Sequence, residues 1–282
     1  MVQAPQHIVT ACNHAYLRWL DHLRVNLAHF GLERRLGVCA EDAATAEHAG
    51  QFGLVVHHVG QGNATAALDF DTDAYFALLH RRQACFWQVV RTQEVGARVL
   101  ILDTDVTFFR NPIEALERLP REVQEADLVA IDDTGPGRPP GFKTRGVVDD
   151  RYLTGGYRLV RNTEANRRLA RAFRAGLASR RGANDQAVFN DVLWPLAHAG
   201  RVTVAPLPPT RFLNGYRFYE ARATRPINAS SIVAVHHNWV RGDAQKWKRA
   251  TRYATLVLEM ETREAFWARA LRAFTALGPW HA

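Results

Sequence analysis

In the first third of the chain, short apolar runs alternate with longer amphipathic stretches, a pattern that restricts the fold to strand-helix-strand units on a mainly parallel sheet. HIVTAC (7–12) is expected to be a buried strand. After Asn13, a residue suited to capping, Leu17, Leu20, Leu23, Leu27 and Phe30 recur at helical spacing up to Gly31. Strands are expected near 35–40 and 54–59 with a helix at 42–51 between them. A long helix comes next over 74–95, Gly96 stops it, and RVLIL (98–102) is the strongest buried strand of the sequence. DTDVTFFRNP predicts a loop, 112–119 a short helix begun by a proline, and 126–132 another strand. The Gly- and Pro-rich stretch 134–150 is expected to be a mobile loop. Beyond it the pattern predicts a strand at 155–161, helices at 163–180 and 184–198, strands at 201–205 and 231–237, and a helical tail over 244–277. No repeat or Pro/Ser linker divides the chain, so residues 1–282 are expected to form a single domain.

Composition removes several classes. No apolar run reaches the length of about 18 residues that a membrane span needs. The N-terminal MVQAPQHIVTACN lacks a basic segment followed by a long apolar one, so a cytoplasmic protein is expected. Cys12, Cys39 and Cys85 form no CxxC pair and are odd in number. They are expected to be small buried apolar side chains rather than zinc ligands or a disulfide framework. The net charge of +8 suits a polyanion or a phosphate-bearing small molecule. Only Lys143, Lys246 and Lys248 among the 36 Lys and Arg residues are lysines. The arginines are scattered through helical segments rather than gathered into a block, which argues against a nucleic-acid surface.

Four groups of residues are able to carry chemistry. Asp103-Thr104-Asp105 stands at the C-terminal end of RVLIL, the end at which open α/β sheets bind ligands. Two carboxylates on a turn there take a hard divalent cation, which in turn neutralises a diphosphate. The denser cluster Asp69, Asp71 and Asp73 fails the calcium-loop pattern, because Ala74 and His80 stand where Gly and a bidentate Glu are needed; it is expected to be a solvated acidic loop. In VHHNWVRGDAQKW (235–247), His236 and His237 end an apolar strand, so one ring points in and the other out. A histidine on such a strand is more often a structural residue, but a metal-bridged diphosphate would use this set: an imidazole as third metal ligand, Gly242 for clearance, and Lys246 on a phosphate oxygen. Asn184-Asp185-Gln186 opens a helix: capping accounts for it, and a functional reading sets Asp185 facing a bound sugar. Thr154-Gly155-Gly156 either turns the chain before a strand or admits a ligand against the backbone.

Taken in order, these pieces resemble the nucleotide-diphospho-sugar transferases of the GT-A fold, in particular glycosyltransferase family 77. The matching segments are IVTACNHAYLRWLDHLRVNL, RVLILDTDVTFFRNP, GGYRLVRNTEANRRL, NDQAVFNDVL, LPPTRFLNGYRFY and VHHNWVRGDAQK, and they cover residues 7 to about 260. The resemblance implies an α/β, Rossmann-like, mixed but mainly parallel central sheet flanked by helices. Within one domain it places a nucleotide-binding part over about 1–133, a part that closes the acceptor and metal side over about 134–260, and a C-terminal helix over about 244–277.

It also implies that Asp105 binds Mn2+ or Mg2+ directly, with Asp103 on the ribose or on the metal through water, and that His236 completes the ligands. Thr10, Asn13 and Tyr16 meet the base and ribose, and Lys246 holds the diphosphate. Arg82 is the basic residue of the helix before the Asp-x-Asp strand. Thr104, Gly155, Gly156, Asn238 and Gly242 complete the donor-binding set. Where relatives carry Asn-x-Gly before the strand, this chain has Thr154-Gly155-Gly156. The implied reaction transfers a hexosyl or pentosyl group from a nucleotide diphosphate, UDP by resemblance, to a hydroxyl of a peptide, glycan or small molecule, with retention of configuration. Asp185 is either a nucleophile or a positioning residue. The alternatives are a sugar-nucleotide hydrolase, a nucleotidyltransferase, or a non-catalytic nucleic-acid-binding module.

Overall fold

A computed structural model describes residues 7–60, 72–133, 152–180, 182–220, 229–239 and 242–260. Its elements are β1 (His7–Cys12), α1 (Leu17–Ala28), β2 (Leu36–Ala40), α2 (Ala43–Gln51), β3 (Val55–Val59), α3 (Asp73–Thr92), β4 (Arg98–Leu102), β5 (Val106–Phe108), α4 (Pro112–Glu117), α5 (Arg121–Glu125) and β6 (Leu128–Asp132). After these come β7 (Leu153–Arg161), α6 (Glu164–Ser179), α7 (Asp185–His198), β8 (Val204–Pro206), β9 (Phe212–Asn214), α8 (Gly215–Tyr219), β10 (Ala234–His236) and α9 (Asp243–Met260). Seven strands form the main sheet in the order β3-β2-β1-β4-β7-β6-β8, and β5-β10-β9 form a small second sheet.

The first four strands of the main sheet are mutually parallel, whereas β7 runs antiparallel to both β4 and β6. Strand alternation divides the core between the two faces. Ile8, Cys12, Leu100 and Leu102 join Leu20, Leu23 and Leu27 of α1 on one side. Val9, Ala11, Val99 and Ile101 join Phe86 and Val89 of α3, Phe173 of α6 and Phe189 of α7 on the other. The helices start where the sequence supplies caps: Asn111 before Pro112, Thr163 before α6, and Asn184, whose side chain accepts from the Gln186 and Ala187 amides at the start of α7.

The architecture agrees with the expected mixed, mainly parallel sheet, and differs from the sequence reading in four places, one being that Thr154-Gly155-Gly156 lies within β7 and does not turn the chain before it. DTDVTFFRNP is not all loop, because Val106–Phe108 pairs with β10 as a short strand. The regions 121–125 and 212–219 hold two helices and a strand that the periodicity did not indicate. Cys39 and Cys85 are joined as a disulfide between β2 and α3, in place of the expected unpaired apolar thiols, and Cys12 is free and buried. Such bridges persist in oxidising surroundings and are reduced in the cytosol. Spanning 46 residues, this one stabilises the fold by about 4 kcal/mol in a chain-entropy account. The expected loop at 134–150, Asp69 and Asp71 of the acidic cluster, and the tail beyond 260 lie outside the described residues, while Asp73 begins α3. No described helix is long and apolar enough to cross a membrane.

Candidate active site

The strand order reverses between β1 and β4, and the crevice at their C-terminal ends is the place where an open α/β sheet receives a ligand. Here β1 delivers Thr10 and Asn13, both buried. The Thr10 hydroxyl and both polar atoms of the Asn13 amide have no hydrogen-bond partner among the described residues. Buried polar groups are normally satisfied, so these point to a ligand that completes them. Tyr16 stands on the short helical turn before α1, and its phenol feels the charges of Lys246 and Asp105.

Across the crevice, β4 ends at Asp103-Thr104-Asp105. The small sheet brings the third ligand candidate alongside. Val235 and His236 of β10 lie opposite Thr107 and Val106 of β5, and the His237 amide donates to the Asp105 carbonyl at 2.9 Å. This register decides between the two histidines. His236 Nε2 stands 3.4 Å from both Asp103 Oδ2 and Asp105 Oδ1. Thr154 Oγ1 lies 3.3 Å from its Nδ1 and so holds the ring from behind. His237 is buried as well, on the other side, where its Nε2 bonds Thr107 Oγ1 at 2.8 Å and its Nδ1 meets the Tyr219 hydroxyl; burial pushes this imidazole down to about 3. The two rings do point opposite ways, but neither reaches solvent.

One ligand atom each from Asp103, Asp105 and His236 lies within 4.8 Å of the others, an oxygen-rich set with one imidazole that suits Mn2+ or Mg2+. Lys246, on the first turns of α9, places Nζ 2.7 Å from Asp105 Oδ2. Burial alone would push the Asp105 carboxyl up; the Lys246 ammonium and the His236 ring outweigh it and hold it well below the usual carboxylate range. For His236 burial works against the charge, but Asp105 and Asp103 raise its pKa to about 10. Asp103, Asp105, His236 and Lys246 thus form one cluster of opposite charges. Gly156 is required beside it: a Cβ there would stand 2.3 Å from Asp103 Oδ2 and 2.4 Å from His236 Cε1. Gly242 turns the chain into α9 at φ +84°, and the next residue, Asp243, accepts from the Trp19 indole at 2.5 Å and pairs with Arg18, anchoring the helix that carries Lys246.

Arg82 of α3 also reaches the site. Its Nε donates to Glu41 Oε1 at 2.8 Å, and its Nη1 lies 3.9 Å from Asp103 Oδ1. Asp185 opens α7 on the same side, and its Oδ2 accepts from Gln83 Nε2 at 2.9 Å. Burial and the Asp103 charge raise its pKa. Gly155 borders open space, whereas the Asn238 side chain is engaged, accepting from the Gly215 amide at 2.7 Å and donating to Asp133 Oδ1 at 2.9 Å. Asp133 is a hub that sequence reasoning missed: it also takes the Trp239 indole at 2.8 Å and the Gln186 amide at 2.9 Å. Trp239 has φ +68°, the one non-glycine residue with positive φ among those described, a strained backbone of the kind that gathers at functional sites. Glu41, Gln83 and Arg158, whose Nη2 donates to Gln83 Oε1, were missed too. Only Arg158 had a signal, as a charge inside the apolar strand GGYRLVR.

The model of a family described as nucleotide-diphospho-sugar transferase matches residues 31–250. Among solved structures, the galactosyltransferase LgtC, determined with donor and acceptor sugar analogues, superposes with a TM-score of 0.57 at 19% identity over 94% of this chain and 100% of that one. The glycosyltransferase GlyE of Streptococcus pneumoniae TIGR4 gives 0.52 at 14% identity, over 98% of this chain and 64% of its own. Mouse xyloside xylosyltransferase 1 gives 0.50 at 15%, over 83% and 98%. At these identities the likeness is one of fold. No curated protein matches the chain.

Proposed function

The chain belongs to the nucleotide-diphospho-sugar transferase family and is a glycosyltransferase of GT-A fold, and from that premise we propose that it moves a sugar from a UDP donor to a hydroxyl acceptor with the help of a divalent cation and with retention of configuration. The observation that carries the proposal is the convergence of Asp103, Asp105, His236 and Lys246 at the switch point of the sheet, next to the strand end where Thr10 and Asn13 keep unpartnered polar atoms. UDP as the carrier, and retention, rest on the family resemblance.

In this reading Thr10, Asn13 and Tyr16 hold the base and ribose, and Asp103, Asp105 and His236 hold the cation; Gly156 makes room for two of these ligands, Gly155 and Gly242 leave room for the donor, and Thr104 belongs to the turn that carries the carboxylates. When bound, the cation neutralises charge on the leaving diphosphate. Lys246, which sits on Asp105, turns its ammonium to the diphosphate and stabilises its departure. Arg82, fixed by Glu41, adds a second positive charge on the donor side. Asp185 faces the developing positive charge at the anomeric carbon, as a nucleophile or as an electrostatic partner. The proton of the acceptor hydroxyl passes to the leaving phosphate.

The direct test is release of UDP from UDP-glucose, UDP-galactose and UDP-xylose, with Mn2+ and with EDTA. Release from one of them that EDTA abolishes, by slow transfer to water in the absence of acceptor, is expected. Release that EDTA leaves unchanged would contradict the metal dependence, and no release from any of the three together with no binding of UDP in the presence of Mn2+ would contradict the UDP donor.

The state of His236 gives a second expectation. With its pKa raised to about 10, the imidazole carries its proton at neutral pH, and a metal ligand must be neutral. Cation binding at pH 7.5 is therefore expected to release about one proton per ion, and affinity to climb up to about tenfold per pH unit between pH 6.5 and 8.5. Mn2+ titration calorimetry in buffers of different ionisation enthalpy reads this out. Heats that do not depend on the buffer would show that His236 is already neutral or does not ligate.

A further inference from the structure

Arg158 is fully buried in the middle of β7, between Ile101 of β4 and Ala130 of β6. Its guanidinium lies on the face covered by α3 and α7, with Cζ 5.0 Å from the centre of the Phe189 ring. Nη2 donates to Gln83 Oε1 at 2.9 Å, whereas Nε and Nη1 have no hydrogen-bond partner, and no carboxylate is within 4.0 Å among the described residues. A lone cation in that position bears a large desolvation cost that an apolar side chain of similar size would avoid. Packing therefore does not account for it.

Its contacts do. Gln83 is itself buried, and its amide has two ends with opposite roles: Oε1 accepts from Arg158, which leaves Nε2 to donate to Asp185 Oδ2 at 2.9 Å. A guanidinium offers only donors, so it allows one orientation of that amide. Turned over, Gln83 would set an oxygen against the Asp185 carboxylate. The other Asp185 oxygen, Oδ1, accepts the Gln186 backbone amide at 2.9 Å. The carboxylate is thus fixed from two sides at the head of α7.

We propose that Arg158 is a positioning residue for the sugar-facing carboxylate: through the Gln83 amide it sets the orientation of Asp185, and its buried charge balances the anionic floor formed by Asp185 and Asp103. The proposal rests on the reading of Asp185 given above. The long-range charges agree with it, since Asp185 and Asp103 are the groups that favour the charged form of Arg158 against burial, which lowers its pKa to about 10.

The test is Arg158→Met, which keeps the bulk and removes the charge. Donor turnover, measured as UDP release from the UDP-sugar that the wild type uses, is expected to fall about 100-fold in kcat with KM changed less than about threefold, because Asp185 acts on the charge that develops at the anomeric carbon and not on the nucleotide that anchors the donor. The melting temperature is expected to stay or rise, where a purely structural role would lower it. Gln83→Leu should give the same kcat loss, and the double variant should lose no more than either single one. Should Arg158→Met fail to fold, Gln83→Leu carries the same split. A kcat within twofold of wild type in a folded Arg158→Met or Gln83→Leu protein, or losses that multiply in the double variant, overturns the proposal. So does an Asp185→Asn protein with wild-type kcat, since the relay then has no target. One measurement needs no donor: a crystal structure of Arg158→Met with the Gln83–Asp185 contact broken supports the relay even if no UDP-sugar is turned over, and an unchanged contact overturns it.

Discussion

Asp105→Ala is expected to lower turnover by about 10³-fold or more, because several kcal/mol of charge stabilisation at the leaving group depend on the ion that this carboxylate holds. Asp105 is buried, with one oxygen 3.4 Å from His236 Nε2 and the other 2.7 Å from Lys246 Nζ, and its backbone carbonyl accepts from His237. No neighbour can take over its place. The fold is expected to survive, since His236 can shed its proton and the Lys246 side chain keeps 22% of its surface exposed, so neither charge is stranded. Steady-state UDP release together with a thermal melt checks both halves. Turnover within tenfold of wild type in a folded Asp105→Ala protein would remove the cation site from the mechanism.

Lys246→Ala is expected to cost about 10² to 10³-fold in kcat, the usual loss when a positive group or donor that meets a developing anion is removed. Its effect on the ion separates it from Asp105. The ammonium donates to an Asp105 oxygen, so its removal frees a ligand atom, and Mn2+ is expected to bind at least as tightly as to wild type. Asp105→Ala, by contrast, loses the ion. Calorimetry with Mn2+ alone, beside the turnover assay, reads both. Weakened Mn2+ binding with unchanged kcat would reverse the assignment and make Lys246 part of the ion's support rather than of leaving-group stabilisation.

The residues of the candidate cation site were legible because they end apolar strands. RVLIL and AVH carry the hydrophobic signal of β4 and β10, and the residues at the C-terminal end of each land at one end of a sheet. Lys246 stood out as a rare lysine among arginines. Which histidine faces the ion was not readable, since it depends on the pairing of β10 with β5, and three-residue strands carry no periodicity. The antiparallel run of β7 escaped for a related reason: LTGGYRLVR is buried on both faces, and its pattern carries no sign of strand direction. Contacts across the sequence left no local mark. Arg82 and Glu41 are 41 residues apart, Gln83 and Asp185 102, and Asp133 and Asn238 105. The Cys39–Cys85 bridge likewise obeys no spacing rule and arises only once α3 lies across β2.

The measurement that bears most directly on the central claim is calorimetric titration of the purified protein with UDP and with GDP, each with and without Mn2+, repeated on Asp105→Ala. UDP is expected to bind only when Mn2+ is present, GDP to bind more weakly, and the variant to bind neither. UDP binding that is the same without Mn2+ and survives in Asp105→Ala, or no nucleotide binding under any condition, would contradict it.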